Sequence, residues 1–195
     1  MSSLLFSPAG IAASLARHIP TDAAPDLPRA AVACVLSFAG KAPRVLLMKR
    51  AVRAGDLWSG HMALPGGRED PCDESLLATA IRETYEEVGL DLAATARVLG
   101  RLDAVRAVAR SVPLSLTITP FVLTVDGEPA LSLGAEAELA LWVPLLQMAS
   151  GELDSTLRYE APEGPITLPC WRFHGQVVWG LTYRMLSSLL AVIAV

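Results

Sequence analysis

Cysteine, unbroken apolar runs and surplus basic charge are all scarce in this sequence, and each shortage removes a class of function. Cys34, Cys72 and Cys170 are widely separated, which excludes a clustered zinc site and a disulfide framework and fits a reducing, cytoplasmic setting. No uninterrupted apolar stretch approaches the ~18 residues of a membrane-spanning helix, so no membrane partner is expected. Residues 1–20 carry no basic segment ahead of their apolar part, which argues against a secretory signal. A formal net charge of −4 argues against a protein that coats nucleic acid through a basic surface. Internal repeats and low-complexity tracts are missing as well. What is present is a chain of 195 residues, 52% hydrophobic, long enough to bury a sizeable core as one domain spanning 1–195.

The most informative stretch is Leu64 to Leu90, LPGGREDPCDESLLATAIRETYEEVGL. Its second half predicts a helix from Asp73 to Val88, in which Glu83, Glu86 and Glu87 stand at i, i+3 and i+4 and share one face. Leu77, Ile81, Thr84 and Val88 fall on another side and suit packing against a sheet. Like charges at i,i+4 cost a helix roughly 0.2–0.5 kcal/mol per pair, so the acidic face does not serve stability. A divalent cation reverses that sign: Mg²⁺ takes hard oxygen ligands and combines carboxylates with substrate phosphates. Pro65-Gly66-Gly67 predicts a tight turn that lets the backbone approach a ligand, Asp73 an N-cap, and Gly89 the helix stop.

At these residues the chain resembles the Nudix hydrolases, whose signature runs Gly, five residues, Glu, seven residues, then Arg-Glu-apolar-x-Glu-Glu-x-Gly-apolar. Arg82 to Leu90 supplies the second half, with Thr84 at the first apolar position. The first half departs by one residue. Counting forward from Gly67, five residues lead to Asp73 and eight more separate it from Arg82; counting back from Arg82, Glu74 takes the Glu position and Arg68 the Gly. The resulting PGGxxDxxD form is similar to that of the coenzyme A pyrophosphatases. That branch also carries an Arg upstream of a Gly ahead of the Pro-Gly-Gly; Gly60 matches the Gly, and Gly55 stands at the Arg position.

The resemblance implies an α/β fold, an α/β/α sandwich with a mixed sheet, and metal-dependent hydrolysis of a nucleoside diphosphate derivative with Mg²⁺ or Mn²⁺ as cofactor. Coenzyme A or an acyl-coenzyme A is the leading substrate. Dinucleotides or nucleoside diphosphate sugars are the alternative, and a catalytically silent nucleotide sensor is the rival from another class. The catalytic set carried over is Arg82, Glu83, Glu86 and Glu87: the three acids as metal ligands, joined by the Gly66 carbonyl, Arg82 orienting a motif carboxylate through a bidentate contact, and Glu83 first choice as ligand or base.

Ser7-Pro8 starts a helix that Pro20 ends, and a linker with Pro25 and Pro28 completes an N-terminal segment over residues 1–30. Ala31–Phe38 and Val45–Lys49 predict a strand hairpin, at whose end Lys49 and Arg50 could approach an anion or lie as exposed charge. Trp58 reads as a half-buried loop residue, with stacking on a base as the alternative, and His61 is given no role. Ala96–Leu102 predicts a strand. Val105–Ser111 predicts a loop whose Arg106 and Arg110 suit phosphate oxygens or simple solvation. Leu114–Val125 predicts a strand with a bulge or edge position at Pro120. Ala135–Leu145 resembles the family's acidic loop leading to a strand, with Glu136 at the acidic position and Glu138 in reserve. Leu153–Ala161 and Ile166–His174 predict a second hairpin, and Thr182–Val195 a helix with Met185, Leu186, Leu189, Leu190 and Ile193 on one face. That face packs on the sheet or seals a homodimer.

Overall fold

The computed structural model describes residues 5–22, 26–40, 42–55, 58–109, 114–161 and 164–194. The apolar run read as a buried strand is β1 (Arg29–Ser37), eight of whose nine residues are buried. Its side chains alternate between two cores: Ala30, Val32, Cys34 and Leu36 face one, Ala31, Ala33 and Val35 the other. A strand buried on both faces lies at the centre of a sheet covered by helices.

Among the described residues the chain forms an eight-stranded sheet and a three-stranded one. In chain order, helix α1 (Pro8–Arg17) precedes β1 and is capped by Ser7, whose Oγ accepts from the Gly10 N–H at 3.0 Å. Strand β2 (Arg44–Arg50) is followed by β3 (Met62–Ala63), β4 (Gly66–Arg68) and helix α2 (Leu76–Val88). The short helix α3 (Leu92–Thr95), β5 (Ala96–Arg101), β6 (Val105–Ala109) and β7 (Leu114–Val125) come next. Strand β8 (Ala137–Pro144), helix α4 (Leu145–Ser150), β9 (Asp154–Ala161), β10 (Gly164–Phe173), β11 (Gln176–Val178) and α5 (Gly180–Ala194) complete the chain.

The large sheet runs β3-β2-β1-β7-β5, with β8 on β2, β4 on β1 and β6 on β7. Among the described residues only the central β1·β7 pair is parallel, from Arg29↔Thr117 to Ser37↔Val125, so the sheet is mixed. Helix α2 covers the face that carries Ala31 and Ala33, whose small side chains leave room for Ala80 and Val88. Helices α1 and α5 cover the other face, giving the α/β/α layering expected. In α5, Met185, Leu186, Leu189 and Ile193 are buried within the chain's own core. No helix among the described residues is long and apolar enough to cross a membrane.

Four local expectations are corrected. Helix α2 starts at Leu76 with Ser75 as N-cap, its Oγ accepting from the Ala78 N–H at 3.1 Å, because the Asp73 carboxylate is drawn instead to Arg82 and Thr79. Pro65-Gly66-Gly67 makes no tight turn: after a bend at Pro65 the glycines run as β4 beside β1, pairing Val32↔Gly66 and Ala31↔Gly67. Residues 105–109 form β6 rather than a loop, since the first half of β7 needs a partner beside β1. Pro120 lies in the middle of the sheet. Its missing N–H falls where β7 changes partner from β6 (ending Val105↔Ile118) to β5 (starting Arg101↔Phe121), and its carbonyl accepts from the Leu102 N–H at 2.9 Å.

Candidate active site

The two glycines of β4 place the site. A Cβ on Gly66 would overlap the Ala31 carbonyl and the Val32 Cα, and its φ of 147° is itself a glycine conformation. A Cβ on Gly67 would overlap the Glu83 carboxylate. The absence of two side chains thus lets α2 lay its acids directly on the backbone of β4. Glu83 lies against Gly67, and the Gly66 N–H donates to Glu87 Oε2 at 2.8 Å.

The three acids share a neighbourhood without sharing solvent. Side-chain exposure falls from 55% at Glu86 to 17% at Glu83 and 2% at Glu87. Burial pushes the Glu87 carboxyl up to about 7, opposed by the Gly66 N–H and by Arg50, whose Nη1 lies 3.7 Å from Oε1; the charges of Glu83 and Glu136 add to the rise. Burial also raises the Glu83 carboxyl, against the hydrogen bond and charge of Arg82. Helical spacing shows that positions 83, 86 and 87 are neighbours. The orientation of α2 on the sheet decides that Glu87 points inward.

Arg82 is the hub of the cluster, but its bidentate partner is not one of the three helix glutamates. Its Nε and Nη2 donate to the two oxygens of Asp73, each at 2.9 Å, while Nη1 contacts Glu83 Oε1 at 2.9 Å and Glu86 Oε2 at 3.3 Å. Asp73 also accepts from the Asp70 N–H and the Thr79 hydroxyl. The bonds from Arg82 hold the Asp73 carboxyl far below the usual carboxylate range, and those to Asp73 raise Arg82 in turn. The geometry therefore favours counting forward from Gly67, with Asp73 at the acidic position. Glu74 is exposed.

Glu136 reaches the cluster from the segment before β8. The Ser132 and Gly134 N–H groups cap the C-terminus of α2 by donating to Val88 O and Glu87 O, both at 2.9 Å, and the Ala51 N–H donates to Glu136 O at 2.8 Å. Arg53, a residue that sequence reasoning passed over, donates to Glu136 Oε1 at 2.9 Å and to the Ala135 carbonyl at 3.1 Å. It lies two positions before Gly55, where the family pattern places its arginine. Glu138, the reserve, is taken by Lys49 at 2.8 Å. Arg106 donates to Ser115 Oγ at 2.8 Å rather than to any of these carboxylates. Arg110 lies outside the described residues. Trp58 is half-buried and packs against the larger core. The ring of His61, assigned no role from sequence, lies 4.8 Å from that of Trp179.

As they stand, no three His, Cys, Asp or Glu side chains among the described residues form a metal-holding group; arginines occupy Glu83, Glu86 and Glu136. The donors nevertheless suit a hard cation. They are carboxylate oxygens, and burial raises the pKa of two of them, Glu83 and Glu87, against the pull of neighbouring arginines. A cluster of this kind can bind a divalent ion, hold an anionic phosphate chain against it and accept a proton near neutrality. A shallow apolar depression between α1 and β5, lined by Pro8, Ala12, Arg97 and Val98, holds no such group.

Comparison with known proteins is consistent with this geometry. The family model described as NUDIX domain matches residues 27–162. A Nudix hydrolase, NudL, of Yersinia pestis (strain Pestoides F) is 30% identical over 153 residues, covering 75% of this chain and 71% of the relative. A protein of Schizosaccharomyces pombe is 40% identical over 124 residues, covering 61% of this chain but only 37% of its own length. Among solved structures, a Nudix hydrolase from Alicyclobacillus acidocaldarius superposes with a TM-score of 0.54 at 23% identity, covering 87% of this chain and 93% of that one.

Proposed function

The chain belongs to the Nudix hydrolase family, and on that premise we propose that it hydrolyses the diphosphate bond of a nucleoside diphosphate derivative, coenzyme A or an acyl-coenzyme A first among them. Nudix hydrolases generally use divalent metal ions. Here Glu83, Glu86 and Glu87 would hold the ion, with the Gly66 carbonyl as an added ligand. The observation that carries the reading is the buried Glu87 carboxylate on the Gly66 N–H, beside Glu83 on Gly67.

The ion, when bound, neutralises charge on the phosphate oxygens and lowers the pKa of the attacking water. The chain's own residues do the rest. Glu83 is the first choice as ligand or base; as base, with the ion left to Glu86 and Glu87, it takes the proton from the water as the water oxygen bonds to one phosphorus and the bond from that phosphorus to the bridging oxygen breaks. Arg82, fixed at its far side by Asp73, orients Glu83 and Glu86. Arg50, beside Glu87, with Arg106 on β6 and Arg110 after it, are the proposed phosphate contacts, and Glu136 the proposed fourth acid.

Coenzyme A is supported by the PGGxxDxxD spacing, together with the clasp of Asp73 on Arg82 that gives the inserted residue a place. Its cleavage gives 3′,5′-ADP and 4′-phosphopantetheine. Dinucleotides and nucleoside diphosphate sugars offer the same bond. A mass-spectrometric screen of diphosphate compounds in ¹⁸O-labelled water names the substrate and the phosphorus attacked together. Absence of any labelled product with Mg²⁺ or Mn²⁺ refutes the proposal.

A further inference from the structure

We infer that Trp179 and Tyr159, with His61 behind them, form a stacking subsite for the planar base of the substrate, where the second sheet meets β3 and α5. The inference rests on the proposed activity and extends it to what the site recognises beyond the diphosphate.

The rings form a continuous tilted stack. His61 and Trp179 have centroids 4.8 Å apart, and Trp179 and Tyr159 5.4 Å. The stack begins one strand pair from the acids. Arg50, whose guanidinium lies 3.7 Å from Glu87, donates its backbone N–H to the His61 carbonyl at 3.0 Å, and its carbonyl accepts from the Gly60 N–H at 3.2 Å. Residues facing each other across such a ladder are ~5 Å apart at Cα, so the aromatic group lies within a nucleotide's length of the carboxylates. Its position is rigid: Trp179 sits in the single-residue step between β11 and α5, and the Thr182 hydroxyl of the first turn of α5 donates to the Met62 carbonyl at 2.9 Å.

Anchoring the hairpin is the other use such a cluster could have, and a different pair already serves it. Trp171 is 2% exposed, donates its indole N–H to Asp154 at 2.9 Å and stacks on Tyr183 at 4.3 Å. Trp179 and Tyr159 differ in both respects. They are only partly buried, and among the described residues neither the Trp179 indole N–H nor the Tyr159 hydroxyl has a hydrogen-bond partner. Aromatic rings that keep an unspent donor one strand pair from the acid cluster suit a heteroaromatic base, which offers a face to stack on and ring nitrogens or carbonyls to accept.

Two measurements test this. Titration of the metal-free protein with adenosine monophosphate, followed by isothermal calorimetry, is expected to give saturable binding that is lost in Trp179→Leu. In steady-state kinetics, the ratio of kcat/KM for an adenosine diphosphate ester over a base-free alkyl or ribosyl diphosphate is expected to fall about tenfold or more in Trp179→Leu, mostly through KM. In Tyr159→Phe, which keeps the ring, it falls a few-fold. The inference is overturned if both variants bind adenosine monophosphate like the wild type or leave that ratio unchanged. It is equally overturned if Trp179→Leu weakens both substrate classes alike. Should the wild type hydrolyse no diphosphate, the proposed activity fails while the nucleotide titration still decides the subsite.

Discussion

Replacing Glu87 with Gln tests the electrostatics of the site without relying on turnover. In the metal-free protein the buried carboxyl rises from an ordinary value of 4.5 to about 7. At ~1.36 kcal/mol per pH unit this corresponds to about 3 kcal/mol. The sign follows from which state loses its proton first. Below pH 4.5 folded and unfolded chains are both protonated at this residue, and folding carries no penalty. As pH rises toward 7 the unfolded chain ionises first, so the folded state loses stability, and above 7 the loss is complete. The substituted glutamine has no proton to lose, and its side-chain carbonyl still accepts from the Gly66 N–H. Glu87→Gln is therefore expected to match the wild type near pH 4.5 and to exceed it by about 3 kcal/mol at pH 8, a difference that already includes the contact with Arg50. For a chain of this length that is a Tm difference of roughly 6–12 °C. Urea unfolding in the presence of a chelator, from about pH 4.5 to about pH 8, provides the measurement. Adding millimolar Mg²⁺ or Mn²⁺ at the upper end of that range should then stabilise the wild type and leave the variant little changed. A stability difference that does not vary with pH refutes the reasoning.

Glu86→Gln is expected to lower turnover by orders of magnitude with an unchanged circular dichroism spectrum; near-normal turnover in saturating Mg²⁺ counts against the site. Asp73→Asn removes the charge from the bidentate partner of Arg82 and should cost about 2 kcal/mol at neutral pH in chemical denaturation. Because the Asp73 carboxyl is held below its ordinary value, that difference belongs above the unfolded pKa and should fade as pH drops below about 4. Gly67→Ala inserts a methyl where Glu83 lies, so kcat should fall at least tenfold with little change in Tm; full activity would show that Glu83 need not contact β4.

Much of the layering is legible in the sequence because burial leaves a periodic trace. Strand β1 is apolar on both faces and reads as central, β9 alternates between half-buried and exposed residues along its length, and α5 repeats its apolar residues at helical spacing. Contacts that depend on a partner far along the chain leave no such trace. Residues 105–109 carry a charged Arg106 and read as a loop; they become a strand because β7 runs twelve residues and its first half needs a ladder. Arg53 lies 83 residues from Glu136, and nothing local to either pairs them.

The spacing of the motif shows the same limit inside a short segment. Counting along the chain allows either Asp73 or Glu74 to face Arg82, and local rules also make Asp73 a good helix cap. The position that meets Arg82 is not the one that caps the helix. Two charge-assisted bonds in a fork outweigh a single cap bond to a backbone N–H, so Asp73 goes to Arg82 and the cap passes to Ser75, two residues on. The helix then begins late, and the segment from Arg68 to Ser75 is free to loop out and return. Without that loop Arg82 would lose its far anchor, and its Nη1 would no longer be held between Glu83 and Glu86. The inserted residue lies in the segment between Gly67 and Arg82 that carries Asp73 to the fork. Deleting Cys72, the exposed residue before Asp73, should therefore disturb Glu83 more than it disturbs the helix.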